Sequence, residues 1–385
     1  MNLYLTADKI AVETGGGVVT KNELLALRSL GETQVISRDE MKGKLESHWK
    51  EPWCWDQSAV FQFGDQIKLA HLYAGTFGAS VRKLKENGAK VVYTVAAHSL
   101  PESRAEHERF GIPFAQYYPH LCEPELWRKY IEGYRLSDVI VCPSTAAMNS
   151  VRAYGGEFET KRIEIIPHGV DLPKCKGCNG QGGKIYFMGG SEYDVDECLV
   201  CKGTKIVPVA PLPKTMRYGY LGSFGYDKGI IYLLRAWQKL NYSDATLVLG
   251  GRDSQSEGIR GAIEQMRLKN VVCVGWVKNV ADFYNSISCY IQPSCTEGFG
   301  IEVLEAMVHG RPVICSEGAG AADIIENEGI GDTFPVRDVN KLAELIDDWK
   351  GDDLSHPETC RRAAAKYTWD TVRSQYVKLW KEMLG

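Results

Sequence analysis

Short apolar runs of strand length alternate along this chain with longer stretches whose apolar residues recur at helical spacing. Residues 3–6 read as a first strand. Gly15, Gly16 and Gly17 then turn into a helix carrying Leu24, Leu25, Leu27 and Leu30, closed by Gly31. Further strand candidates are 35–36, 59–61, 91–95 and 139–141. The pattern restarts in the second half with 217–221, 246–249, 271–274, 289–292 and 312–315. Strands separated by helices predict parallel, doubly wound α/β sheets, and two such sets predict two domains. Ligands of such sheets bind beyond the carboxyl ends of the strands.

The run EGFGIEVLEAMVHGRPVI, residues 297–314, carries the densest chemistry. A strand leads into a polar turn at Pro293, Ser294 and Cys295, then Gly298-Phe299-Gly300, then a helical pattern that stops at His309-Gly310. A glycine turn between strand and helix aims free backbone N–H groups at one spot, where the helix dipole favours an anion. Glu297 and Glu305, before that turn and inside the helix, can accept hydrogen bonds from sugar hydroxyls beside a bound phosphate. The arrangement suits a nucleotide-sugar.

Two glutamates separated by seven residues, with EGFG at the first and LEAM at the second, resemble the signature of retaining glycosyltransferases of family 4. IIPHGVD (165–171), YLGSFGYDKG (220–229), LVLGGRDS (247–254) and YTWDTVRSQY (367–376) fall in that family's order. The resemblance implies the GT-B fold, two Rossmann-like domains facing across a cleft. Its boundaries would be 1–168 for an acceptor-side domain, 206–366 for a nucleotide-sugar-binding domain and 367–385 for a helix crossing back to the first domain.

The resemblance also implies roles. Glu297 contacts the transferred sugar, with the backbone of Gly298, Phe299 and Gly300 nearby, and Glu305 holds the donor ribose. Lys228 neutralises the diphosphate, and His98 reaches the donor sugar or its phosphate. Gly16 and Gly17 bring backbone close to the diphosphate, and His168 shapes an interdomain turn. Many relatives carry arginine where this chain has Ser223, and Arg252 is the candidate substitute cation. The implied reaction is hexosyl transfer from a UDP- or GDP-linked sugar to an unidentified hydroxyl acceptor. The acceptor attacks from the face the nucleotide leaves, the leaving phosphate takes its proton, and no catalytic metal is required.

Residues 174–205 depart from that family. Cys175, Cys178, Cys198 and Cys201 form two C-x2-C knuckles nineteen residues apart, a spacing that closes a tetrahedral zinc site. The first knuckle matches the C-x-x-C-x-G-x-G repeat of DnaJ-type zinc domains, and the second matches it in part. Four thiolates predict a structural zinc. The insert mixes lysines with acidic residues, so it gives no strong nucleic-acid signal.

At 385 residues, 44% hydrophobic and 24% charged, the composition is that of a globular protein with room for two cores. A net charge of −4 gives no basic field for nonspecific nucleic-acid binding. No apolar run of bilayer length and no charged-then-apolar leader stand out, so the expectation is a cytoplasmic protein with free thiols and no transmembrane segment. The tryptophan-rich 48–56 and the polar 99–112 are expected to border the acceptor side. Two other readings stay open: a sugar-nucleotide epimerase of the same architecture, and a catalytically degenerate, zinc-stabilised binding protein.

Overall fold

The computed structural model describes residues 1–6, 15–37, 66–73, 78–95, 100–111, 124–174, 184–188, 191–195, 209–351 and 357–385. The first sheet comprises β1 (Asn2–Thr6), β2 (Thr33–Ser37), β3 (Leu69–Tyr73), β4 (Lys90–Thr94), β5 (Val139–Cys142) and β6 (Ile163–Ile165). All pair in parallel, in the order 2-1-3-4-5-6. A separate antiparallel hairpin joins β7 (Lys184–Met188) to β8 (Ser191–Val195). The second sheet holds β9 (Arg217–Leu221), β10 (Thr246–Gly250), β11 (Val271–Gly275), β12 (Cys289–Gln292), β13 (Val313–Ser316) and β14 (Gly331–Phe334). Its order is 11-10-9-12-13-14, again parallel. The α/β architecture of two doubly wound sheets is therefore the expected one.

Helices cover both faces, so the central strands are apolar throughout: β1, β4, β5 and β12 are almost wholly buried. The predicted strands fall within a residue or two of the observed ones, except 59–61, which lies outside the described residues. β3, β6, the hairpin strands β7 and β8, and β14 went unpredicted. In β3 a polar residue, His71, occupies the middle of the run yet is fully buried.

The chain crosses between domains twice, and the two crossings run side by side. Val170 pairs with Thr368, the Val170 N–H donating to Tyr367 O at 2.9 Å and the Trp369 N–H to Val170 O at 3.3 Å. Thr368 then caps the helix Trp369–Leu384, its hydroxyl accepting from the Thr371 N–H. That helix packs on the first domain. Trp380, Tyr376 and Val372 join Tyr4, Val19 and Leu27 in one buried cluster. At its centre the buried Glu23 carboxylate accepts from Tyr4 Oη at 2.6 Å and Tyr376 Oη at 2.8 Å, with His71 Nε2 at 3.1 Å.

The polar stretch after His98 forms a helix, Leu100–Arg109, which packs on the second domain. Glu106 is fully buried there. It accepts from Tyr232 Oη at 2.6 Å and from Arg337 Nε at 2.6 Å. Part of the segment expected to border the acceptor side is thus an interdomain contact.

Candidate active site

In the second sheet the strand order reverses between β9 and β12, and in the first between β1 and β3. Such switch points open a crevice at the strand ends because the flanking helices diverge to opposite faces. The two crevices meet. A cavity of about 220 Å³ is lined by Tyr220, Leu221, Gly222 and Ser223 at the end of β9, and by Gln292, Glu297 and Gly300 after β12. Val19 and Tyr73 close it from the first domain, and His168 from the first crossing segment.

Backbone bonds stitch the site together. The Cys295 N–H donates to Asp227 O at 2.8 Å, tying the exit of β12 to the turn Tyr226–Lys228. Gly229 ends that turn in the left-handed region at φ +69°, where a Cβ would lie 1.9 Å from Pro293 O, so only glycine fits. Glu297 is pinned on its other side, its N–H donating to Gly318 O at 2.9 Å and its O accepting from the Gly320 N–H at 3.0 Å. Ser144 of the first domain donates to Gly298 O at 2.8 Å, and Phe299 packs its ring on His168.

Lys228 donates to the Glu297 carboxylate and lies 3.9 Å from Asp227. Burial alone would lower its pKa, but the Glu297 and Asp227 charges outweigh burial and raise it well above the ordinary lysine value. The site therefore keeps a permanent ammonium. Gly300, at φ +92°, begins the helix Ile301–Val308 with no side-chain cap. Glu302, its second residue, lines the cavity too. Burial first, then the Glu297 and Glu305 charges, push its carboxyl up to about 7. Burial lowers His168 to about 4, so it is neutral at physiological pH.

Of the residues predicted for this site, Lys228, Glu297, Gly300 and Ser223 come together around the cavity. Glu305 lies outside its lining, half-buried, accepting from Tyr284 Oη at 3.0 Å, with burial raising its pKa. Gly16 and Gly17 fall in the first turn of the helix Gly15–Arg28, two to three residues before Val19. Arg252 does not reach the cavity; its guanidinium lies over the exposed ring of Trp276 at 5.4 Å. His98 lies outside the described residues, as do Cys175, Cys178, Cys198 and Cys201. Among the described residues no cluster of three His, Cys, Asp or Glu is placed to hold a metal. Glu302, Tyr73 and Gln292 are cavity residues that sequence reasoning missed. The signal available for Glu302 was a second charge, besides Glu305, in the first turn of a helix whose other residues are apolar.

The fold is that of GT-B proteins. The lipopolysaccharide outer core galactosyltransferase WaaB aligns with a TM-score of 0.68 at 14% identity, covering 100% of this chain and 99% of that one. Anabaena Alr3699/HepE in complex with UDP and glucose aligns with a TM-score of 0.66 at 15% identity, covering 99% of each chain. In sequence, residues 209–367 match the family described as Glycosyl transferases group 1, and residues 50–174 match Glycosyltransferase Family 4. The chain thus carries glycosyltransferase domains of these two kinds. It is 30% identical over 177 residues to the uncharacterized glycosyltransferase MJ1607 of Methanocaldococcus jannaschii, covering 43% of this chain and 45% of that protein. It is 28% identical over 179 residues to the capsular polysaccharide biosynthesis glycosyltransferase CapM of Staphylococcus aureus, covering 43% and 47%. The matched stretch spans less than half the length of each of these two relatives.

Proposed function

We propose that the protein is a retaining glycosyltransferase that moves a hexosyl group from a nucleotide diphosphate-sugar, UDP- or GDP-linked, to a hydroxyl acceptor. One observation carries the reading. An ion-paired ammonium, Lys228, and an uncapped helix N-terminus meet in a cavity where the switch points of two doubly wound sheets face each other. Both stabilise negative charge, and an ammonium fixed in place before the reaction stabilises charge building on a leaving diphosphate. Lys228 supplies cationic charge at the spot where a metal would otherwise be needed, which supports metal-independent catalysis. Glu297 holds Lys228 and stands beside the transferred sugar, while Glu305, a turn deeper, takes the ribose hydroxyls. Closure of the first domain, carrying His98, would exclude water. The neighbour HepE, by its description, binds UDP and glucose, which fits a uridine donor. The relatives named above are transferases, and none favours the epimerase reading.

The test is nucleotide release from a panel of UDP-, GDP-, ADP- and TDP-sugars by wild type and Glu305→Ala, with the anomeric configuration of the product read by NMR. Slow hydrolysis of one donor that is lost in the variant supports the reading. No release, and no thermal stabilisation by any donor, refutes it.

For the insert we propose a structural zinc held by Cys175, Cys178, Cys198 and Cys201. The hairpin register sets Lys184 opposite Val195, so the chain enters and leaves at one end. Cys178 precedes Lys184 by six residues and Cys198 follows Val195 by three, which suits ligation from both sides. Elemental analysis should find about one zinc per chain, with proteolytic cuts at 174–205 appearing after chelation. Metal-free protein with an unchanged digest refutes it. No helix among the described residues is long and apolar enough to cross a membrane.

A further inference from the structure

Glu302 sits where an anionic ligand is expected, and the donor-site reading above leaves that carboxyl unexplained. It is the second residue of the uncapped helix, lines the same cavity as Lys228 and Glu297, and folds back on its own backbone N–H. The spot that favours a phosphate is therefore held by a resident carboxyl. An ionised carboxylate there would repel a diphosphate and compete with it for the helix N-terminus. A neutral carboxyl does neither, and it can donate a hydrogen bond.

We propose that Glu302 couples donor binding to proton uptake: its carboxyl must be neutral for an anionic donor to seat on the helix N-terminus. The surroundings favour this. Glu297 and Glu305 face it as like charges, and Lys228, the nearby cation, is already shared with Glu297 and Asp227. Tyr220, Tyr284 and Tyr290 press on it from β9, the helix Val280–Asn285 and β12, and burial keeps each neutral in the physiological range. His168, across the cavity, stays neutral above about 4. Glu302, pushed up to about 7, is thus a described cavity group that changes charge near neutrality.

The sign follows from the raised value. The neutral form, competent to bind, dominates below about 7 and is lost as pH rises through it. With one required proton, the Kd weakens about tenfold between pH 6 and pH 8.

The proposal rests on the donor-site reading, and one experiment separates the two. Binding of UDP-glucose and GDP-mannose to the full chain is measured by calorimetry at pH 6, 7 and 8, in buffers of different ionisation enthalpy, for wild type and Glu302→Gln. Sugar-diphosphate esters do not titrate in this range, so the ligand adds no slope. Wild type should take up nearly one proton per donor at pH 8. Glu302→Gln should take up about one fewer and bind about tenfold more tightly there. Any titration of His98 would persist in the variant and cancel in the comparison. Melting curves of both proteins at pH 8 establish that the variant is folded, and Glu302→Ala repeats the comparison if it is not. Donor binding with equal proton uptake in wild type and variants overturns the role of Glu302 alone. Failure of both donors to bind any folded protein at any pH overturns the donor site and this proposal with it.

Discussion

Replacing Glu106 with alanine should loosen the closed arrangement of the two domains. Its carboxylate is fully buried and receives hydrogen bonds from Tyr232 and Arg337, both across the interface, at 2.6 Å each. Arg337 is held at φ +69°, a left-handed conformation uncommon for a residue other than glycine. Removing one partner of a buried ion pair costs about 3–5 kcal/mol. The Arg337 side chain is 31% exposed and regains water on opening, so the lower end applies, about 3 kcal/mol. At 1.4 kcal/mol per decade, that shifts the closed–open balance by roughly 100-fold. Neither residue lines the cavity, but the Cys295 thiol in the site turn also bonds Glu106, so a loss of ligand affinity reports closure only where the molecule also expands, with that shift as its ceiling. The assay is a double-mutant cycle of Glu106→Ala and Arg337→Met. Its readouts are nucleotide affinity and the radius of gyration from small-angle scattering. Each single variant should weaken binding and expand the molecule, and the double variant should add little to either. Additive effects, or Glu106→Ala binding within about twofold of wild type at unchanged radius, would refute the latch.

Other consequences are open to simpler checks. Lys228→Met should lower kcat for donor turnover by about 100- to 1000-fold, because the charge it supplies acts on the departing diphosphate; steady-state kinetics on a variant shown by circular dichroism to be folded measures it. Gly229→Ala should destabilise the second domain by at least 1–3 kcal/mol and displace Lys228, since a Cβ would strike Pro293 O; circular-dichroism melting measures it. Burial would raise Glu23, but His71 and the hydroxyls of Tyr4 and Tyr376 outweigh it and leave its pKa lowered. Its stabilising contribution is therefore complete above the ordinary value of 4.5 and is lost as pH falls through the folded value. The melting-temperature gap between wild type and Glu23→Gln should accordingly be wide at pH 7 and narrow below 4.5.

Strand positions were legible where a strand is buried on both faces, because such strands read as unbroken apolar runs: 139–141 and 289–292 are instances. β3 escaped because His71 interrupts its run, and the distant Glu23 and Thr94 make a histidine acceptable there. β14, reading GDTF, carries its polar residues on an edge strand. Lys228 and Glu297 were readable because each sits in a local glycine-marked segment, YLGSFGYDKG and EGFG, that carries the family resemblance. The interdomain latch was not, since Glu106 and Arg337 lie 231 residues apart and look like ordinary surface charges. Arg252 was offered as the cation that replaces the arginine many relatives carry where this chain has Ser223. Instead the turn Arg252–Gln255 leaves its guanidinium over Trp276.

The returning helix Trp369–Leu384 sets an order of assembly. Glu23 belongs to a helix that emerges early in synthesis, yet one of its hydroxyl partners, Tyr376, arrives 353 residues later. At about 5–20 residues per second, that interval is roughly 20–70 s. Throughout it the nascent first domain carries a carboxylate facing an uncovered apolar surface that Trp380 and Leu379 will later close. The first domain to be made is therefore the last to be finished, and its period of exposure to chaperones and proteases is as long as the translation of the second.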